Sequence, residues 1–113
     1  MLTKFSDLEN KSVLVTGGGS GIGAEITKAF IQQGAKVSFV QRSDAEHFCD
    51  KIESEFHSRP YFIKCDVTDL SDLKKAVESA ISIYGDIDIL VNNAANDHRH
   101  ETLNVTEEYW DNS

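Results

Sequence analysis

The stretch Val13-Leu14-Val15-Thr16-Gly17-Gly18-Gly19-Ser20-Gly21-Ile22-Gly23 constrains the fold of this chain more than any other. An apolar, β-branched run stops at Thr16. Glycine then fills positions 17, 18, 19, 21 and 23, and Ala24-Glu25-Ile26-Thr27-Lys28-Ala29-Phe30 follows with a helical pattern. A strand that enters a helix through such a turn leaves backbone N–H groups bare at the helix N-terminus, where an anionic phosphate group binds. The glycines have separable tasks. Gly17 takes the backbone conformation of the tight turn. Gly21 lets a pyrophosphate approach the backbone, and Gly23 lets the helix pack close to the strand. The spacing is Gly-x-x-x-Gly-x-Gly rather than the commoner Gly-x-Gly-x-x-Gly. The competing reading is a strand, a flexible loop and a helix with no ligand. The strand before, the helix after and the lead-in Thr16 weigh against it.

The rest of the chain alternates strand and helix patterns. Ser12–Thr16 reads as the first strand. Gly21–Gln33 reads as a helix with Ile22, Ile26, Ala29 and Phe30 on one face and Gly34 just past its end. Lys36–Val40 is the second strand. Ser43 and Glu46 have capping-box spacing and open a helix to about Ser58, with Ala45, Phe48, Cys49, Ile52 and Phe56 on one stripe. Pro60, the only proline, precedes a third strand, Tyr61–Cys65. Thr68 or Asp69 starts a third helix that turns Leu70, Leu73, Val77, Ala80, Ile81 and Tyr84 inward, and Gly85 ends it. Ile87–Val91 is the fourth strand. Near-continuous apolar strands separated by helices imply an α/β fold: a doubly wound parallel sheet with helices on both faces and strand order 3-2-1-4. Thr106-Glu107-Glu108-Tyr109-Trp110 opens a further helix with Thr106 as N-cap. The four strands are therefore expected to be the N-terminal half of a longer single domain, a genuinely short protein being the alternative.

Composition narrows the function classes. The 113 residues allow one domain at most. The net charge of −8 argues against nucleic acid and anionic membranes as partners. No apolar run is long enough to span a bilayer, and Met1–Asn10 lacks the blocks of a secretion signal. The two cysteines, Cys49 and Cys65, sit in apolar patterns and read as buried thiols. A reducing, cytoplasmic setting is expected.

Ligands of open parallel sheets bind outside the carboxyl ends of the strands, at the switch point. Thr16, Gln41, Asp66 and Asn92 all follow strands at that end. Asp66 can accept a hydrogen bond from an adenine amino group, and Val67 can offer its backbone and apolar side. As alternatives, Asp66 caps the next helix, and Asn92 and Asn93 form a polar turn at a strand end. Gln41-Arg42 follows the second strand where an acidic residue would repel a 2′-phosphate. Gln41 carries no charge and Arg42 can pair with a phosphate, so NADP is favoured over NAD.

In these motifs the chain resembles the short-chain dehydrogenase/reductases. Thr16-Gly17-x-x-x-Gly21-Ile22-Gly23 looks like that family's cofactor loop, Asp66-Val67 like its adenine-contacting pair, and Asn92-Asn93-Ala94-Ala95 like its Asn-Asn-Ala-Gly segment, with Ala95 where glycine is more usual. The resemblance covers nearly the whole chain and implies a Rossmann-type domain. It implies a cofactor set of Gly17, Ser20, Gly21, Ile22, Gly23, Gln41, Arg42, Asp66, Val67, Asn93, Ala94 and Ala95. Ser20 stands where many NADP-using members carry a basic residue, which counts against NADP.

The resemblance also implies hydride transfer between a nicotinamide cofactor and a small-molecule alcohol or carbonyl compound, and a homo-oligomer when intact. The family's chemistry needs Ser, Tyr and Lys, the last two spaced Tyr-x-x-x-Lys, with the Tyr as general acid/base. At that spacing Tyr61 is followed by Cys65, Tyr84 by Asp88 and Tyr109 by Ser113. No catalytic residue is therefore assigned within these residues, and the segment alone is expected to be inactive. Asn92–His100 looks like the same segment of members that oxidise sugars at C1. This places Asn96, Asp97 and Arg99 near a polyhydroxylated substrate, against the alternative of a solvated loop. His98-x-His100 has no third ligand at suitable spacing, so no metal is assigned. The rival readings are a non-catalytic dinucleotide-binding or sensing module and, more weakly, a structural α/β module without a ligand.

Overall fold

The computed structural model describes residues 7–19 and 21–93. Four strands, β1 (Ser12–Thr16), β2 (Lys36–Gln41), β3 (Tyr61–Lys64) and β4 (Ile89–Asn92), alternate with α1 (Gly21–Gln32), α2 (Glu46–Phe56) and α3 (Leu70–Tyr84). The strands form one sheet in the order β3-β2-β1-β4, and every pair is parallel. This is the expected order, with β1 inside the sheet.

The two sheet faces have separate cores. Val13, Val15, Val37 and Phe39 join Ile31 of α1 and Cys49 and Ile52 of α2 on one side. Leu14 and Val40 join Leu73, Ala76, Val77 and Ala80 of α3 on the other. Alternation along each strand sends odd and even positions to opposite faces, and both are covered, so β1 reads as an unbroken buried run. Phe39 anchors the first core. Its ring stacks on Phe62 at 5.2 Å and meets the edge of Phe48 at 5.7 Å.

Three expectations about the helices are corrected. Gly23, Thr27 and Ile31 are the buried positions of α1, while Ile22 is 74 % exposed and Ala29 faces solvent. The helix is turned about one residue from the apolar stripe because its first turn is seated on the glycine loop, with Ile26 and Phe30 flanking the contact. The Ser43–Glu46 capping box does not form. Ala45 is the N-cap of α2 and makes no side-chain cap; the Ser43 hydroxyl accepts from Gln41, and Glu46 pairs with Arg59 at 2.7 Å. Leu70 opens α3 half-exposed rather than inward, the buried positions of that helix being Leu73, Ala76, Val77 and Ala80.

The third helix is otherwise bounded by local chemistry. Asp69 is its N-cap, with a side chain that accepts from the N–H groups of Ser71 and Asp72, and Gly85 closes it at φ +80°. The fourth strand starts later than expected because Asp88 pairs outside it. Its N–H donates to Ser12 O and its carboxylate accepts from Ser12 N–H, both at 2.9 Å.

Candidate functional site

Because all four strands run the same way, their carboxyl ends share one edge. Thr16, Gln41, Lys64 and Asn92 close the four strands there. The chain leaves β1 toward β2 on one side and has β4 on the other, which puts the reversal of strand order at the loop after Thr16.

The loop's backbone is fixed by contacts from three directions. Gly17 has φ +67° and its N–H donates to Val40 O at 2.6 Å. Its carbonyl accepts from Asn93 Nδ2 at 3.1 Å. The Gly18 carbonyl accepts from the buried Thr27 hydroxyl at 3.0 Å, and the Gly19 N–H donates to Gln41 Oε1 at 3.0 Å. The carbonyls of Gly17 and Gly18 are thus occupied inside the protein. Beside them, Thr16 Oγ1 donates to Asn92 Oδ1 at 2.8 Å, tying the ends of β1 and β4.

Gly21 opens α1 at φ +55°, and a Cβ built there meets nothing within 4 Å. Among the described residues, no atom crowds the Gly21 side of the first turn of α1. At Gly23 a Cβ would fall on the Gly17 carbonyl oxygen and lie 2.6 Å from Asn93 Nδ2. Gly23 thus lets the helix close on its own loop, where the sequence suggested the strand. A helix N-terminus with inward-held carbonyls and an unobstructed glycine has the donor set and shape that suit a phosphate group.

On the far side of β2, Arg42, Lys64, Cys65, Asp66 and Asp72 line an open hollow of about 420 Å³. Asp66 is not a helix cap, since Asp69 holds that place. Its Oδ1 accepts from the Thr68 N–H at 3.0 Å and from the Thr68 hydroxyl at 2.6 Å. These bonds, with the nearby Arg42 charge, hold its carboxyl below the usual aspartate range. Gln41 is more engaged than the sequence suggested: Nε2 donates to the carbonyl and hydroxyl of Ser43 while Oε1 holds Gly19. A larger hollow of about 580 Å³ lies at the opposite, amino-terminal edge of the sheet, beside Asn10, Gly34, Lys36 and Arg59. It shares no residue with the glycine loop.

The structure thus gathers Gly17, Gly21, Gly23, Gln41 and Asn93 around one loop, with Ile22 exposed on the first turn of α1 and Arg42 and Asp66 at the hollow beside it. Val67 packs against the α3 core. Ser20, Ala94, Ala95, Asn96, Asp97 and Arg99 lie outside the described residues. The sequence reading missed Thr27. The signal was a polar residue one helical turn after Gly23, on the same face of the helix. Among the described residues, no group of three or more His, Cys, Asp or Glu is placed to hold a metal ion, and no helix is long and apolar enough to cross a membrane.

The sequence model of the short chain dehydrogenases matches residues 11–113. The chain belongs to this family. It is 42 % identical over 113 residues to a probable galactose dehydrogenase of Rhizobium meliloti, covering 98 % of this chain and 44 % of that protein. It is 40 % identical over 110 residues to a D-xylose 1-dehydrogenase of Caulobacter vibrioides, covering 95 % of this chain and 42 % of that protein. Among solved structures, L-sorbose reductase from Gluconobacter frateurii, complexed with NADPH and L-sorbose, superposes with a TM-score of 0.72 at 32 % identity, over 78 % of this chain and 34 % of that one. A short-chain dehydrogenase/reductase from Serratia marcescens gives 0.68 at 37 % identity, over 76 % and 36 %. The chain thus spans less than half the length of these relatives.

Proposed function

We propose that this chain is the dinucleotide-binding part of an NAD(P)-dependent oxidoreductase that acts on the alcohol or carbonyl group of a sugar, with NADP preferred. The observation that carries the reading is the loop at the end of β1. Its Gly17 and Gly18 carbonyls are tied inward, and among the described residues nothing crowds Gly21 at the N-terminus of α1. Gly17, Ser20, Gly21, Ile22 and Gly23 hold the pyrophosphate side of the cofactor, and Asn93, Ala94 and Ala95 complete the set beyond β4. Asp66 and Val67 take the adenine. Arg42 pairs with the 2′-phosphate, and Gln41, being neutral, does not repel it. When bound, the nicotinamide supplies the hydride acceptor or donor.

The sugar assignment draws on the probable galactose dehydrogenase, the D-xylose 1-dehydrogenase and the L-sorbose reductase among the similar proteins. On this reading Asn96, Asp97 and Arg99 serve the substrate. The Ser, Tyr and Lys of the chemical step are not assigned within residues 1–113, so this segment by itself is inactive. The intact enzyme is a cytoplasmic homo-oligomer.

The test is a fluorescence titration of the full-length protein with NADPH and NADH, followed by assay with galactose, xylose and NADP or NAD. Tighter NADPH binding and sugar-dependent reduction of NADP are expected. Tight binding with no turnover on any sugar, alcohol or carbonyl compound would instead establish a non-catalytic dinucleotide module. Binding of neither cofactor would overturn the whole reading.

A further inference from the structure

We propose that Thr27 is a positioning residue for dinucleotide binding, fixing which way the Gly18–Gly19 peptide of the loop faces. This rests on the cofactor reading above. Thr27 lies on the second turn of α1 and is fully buried. A helical threonine commonly returns its hydroxyl to a carbonyl three or four residues back in the same helix. Here the hydroxyl leaves the helix and donates to Gly18 O, nine residues back, at 3.0 Å.

The Gly18 carbonyl and the Gly19 N–H are the two ends of one peptide unit. Thr27 holds the carbonyl end from α1, and Gln41 Oε1 holds the N–H end from β2. The clamp is tight. A Cβ at Gly18 would lie 2.5 Å from Phe39 Cβ and 2.8 Å from Thr27 Oγ1, so the loop backbone rests directly on both side chains. Rotation of this peptide would swing the carbonyl oxygen out of the protein. An anion site built from backbone N–H groups works only if neighbouring carbonyls face away from it. Asn93 restrains the preceding carbonyl in the same way. Asn93 belongs to the expected cofactor segment, whereas Thr27 lies outside it, on the second turn of α1, with its hydroxyl on the loop backbone.

Thr27→Val keeps the shape and removes the donor, leaving a buried carbonyl without its partner. Thr27→Ala does the same with a strong helix former, and Thr27→Ser keeps the hydroxyl. In the full-length protein, NADPH, NADH and ADP should bind about tenfold more weakly to Thr27→Val and Thr27→Ala, from the cost of a buried unpaired carbonyl. Adenosine, which has no phosphate, should bind as it does to wild type. The cofactor KM should rise with kcat little changed, and Thr27→Ser should restore both. Two results would overturn the proposal while the cofactor reading stands: unchanged ADP and NADPH affinity in both donorless variants, or an equal loss for adenosine. A wild-type protein that binds no dinucleotide would instead overturn the cofactor reading, and this role with it.

Discussion

Gln41 bridges two loops at once: its Oε1 accepts the Gly19 N–H at 3.0 Å, and its Nε2 reaches the Ser43 carbonyl at 3.0 Å. A neutral amide does this where an acidic side chain would carry charge. The same residue therefore shapes the glycine loop and keeps a negative charge away from the proposed 2′-phosphate position. Aspartate is one methylene shorter and has no amide donor, so Gln41→Asp loses the Ser43 bonds and places a carboxylate beside Arg42. The expected outcome is a shift of cofactor preference toward NAD of about tenfold or more. Parallel titrations with NADPH and NADH read it directly. An unchanged ratio would show that Gln41 serves the loop alone.

Arg42 is exposed at the rim of the hollow it shares with Lys64 and Asp66. A charge-assisted contact to a phosphate contributes about 1.5–3 kcal/mol, or roughly ten- to a hundredfold in affinity. Arg42→Ala should weaken NADPH by that factor and leave NADH nearly unchanged. Equal weakening of the two would make Arg42 an ordinary surface charge.

Gly21 and Gly23 should fail differently when substituted. At Gly21 the obstacle is conformational: φ is +55° and a Cβ meets none of the described residues within 4 Å, on the side assigned to the pyrophosphate. Gly21→Val should abolish cofactor binding while costing the fold on the order of 1–3 kcal/mol of backbone strain. At Gly23 the obstacle is steric, because even a methyl group falls on the Gly17 carbonyl. Gly23→Ala should lower the melting temperature and loosen the loop together. Thermal melts beside cofactor titrations separate the two, and a folded Gly21→Val variant with unchanged affinity would exclude a phosphate role for the loop.

The fold was legible because its strands are unambiguous. Ser12–Thr16 carries the apolar run Val13-Leu14-Val15 between Asn10-Lys11 and Gly17, and it forms β1 with those limits. Right-handed crossovers then leave one strand order for the β-α-β pattern. Helix phase was legible in α2 and α3, where Cys49, Ile52, Leu73, Val77 and Ala80 face the core as their spacing implies, but only in part in α1. Periodicity chose Ile22 and Ala29, but the glycine loop seats α1 on Gly23 and Thr27, and no hydropathy pattern encodes that contact. The start of α2 was hidden for a related reason. Ser43 and Glu46 have capping spacing, but Gln41 and Arg59 claim their side chains from 2 and 13 residues away. The glycines and Asp66 stood out by residue type and spacing. The partnership of Gly19 with Gln41 spans 22 residues and follows only from strand register.

Asp66 gives a pH test of the hollow. Its carboxyl is held below the usual range first by the Thr68 hydroxyl, then by the Thr68 N–H, with Arg42 adding a smaller pull. A depressed carboxyl favours the folded state above the unfolded aspartate value of about 3.9, and this contribution disappears as pH falls through the folded value. In an NMR titration Asp66 should ionise below an ordinary aspartate. Thr68→Ala should raise that midpoint more than Arg42→Ala does. A larger effect from Arg42 would show that charge rather than hydrogen bonding sets the site.

The two thiols predict the opposite, alkaline limit. Cys49 and Cys65 are buried, and burial pushes each up to about 11 from an ordinary 9.0. Nearby carboxylates push the same way: Asp72, Asp66 and Asp69 at Cys65, and Glu46, Asp50 and Asp44 at Cys49, where Arg59 opposes them. Between the two values the unfolded chain has lost these protons while the folded chain keeps them. Stability therefore falls as pH rises from about 9 through 11. At neutral pH both remain thiols, shielded and slow to react. Ellman's reagent should titrate two thiols within residues 1–113 only after denaturation, and a double Cys→Ala variant should lose part of the alkaline decline. Rapid labelling of either cysteine in the folded protein at pH 7 would show that its side of the sheet opens readily, and would place Cys49 or Cys65 outside the closed core.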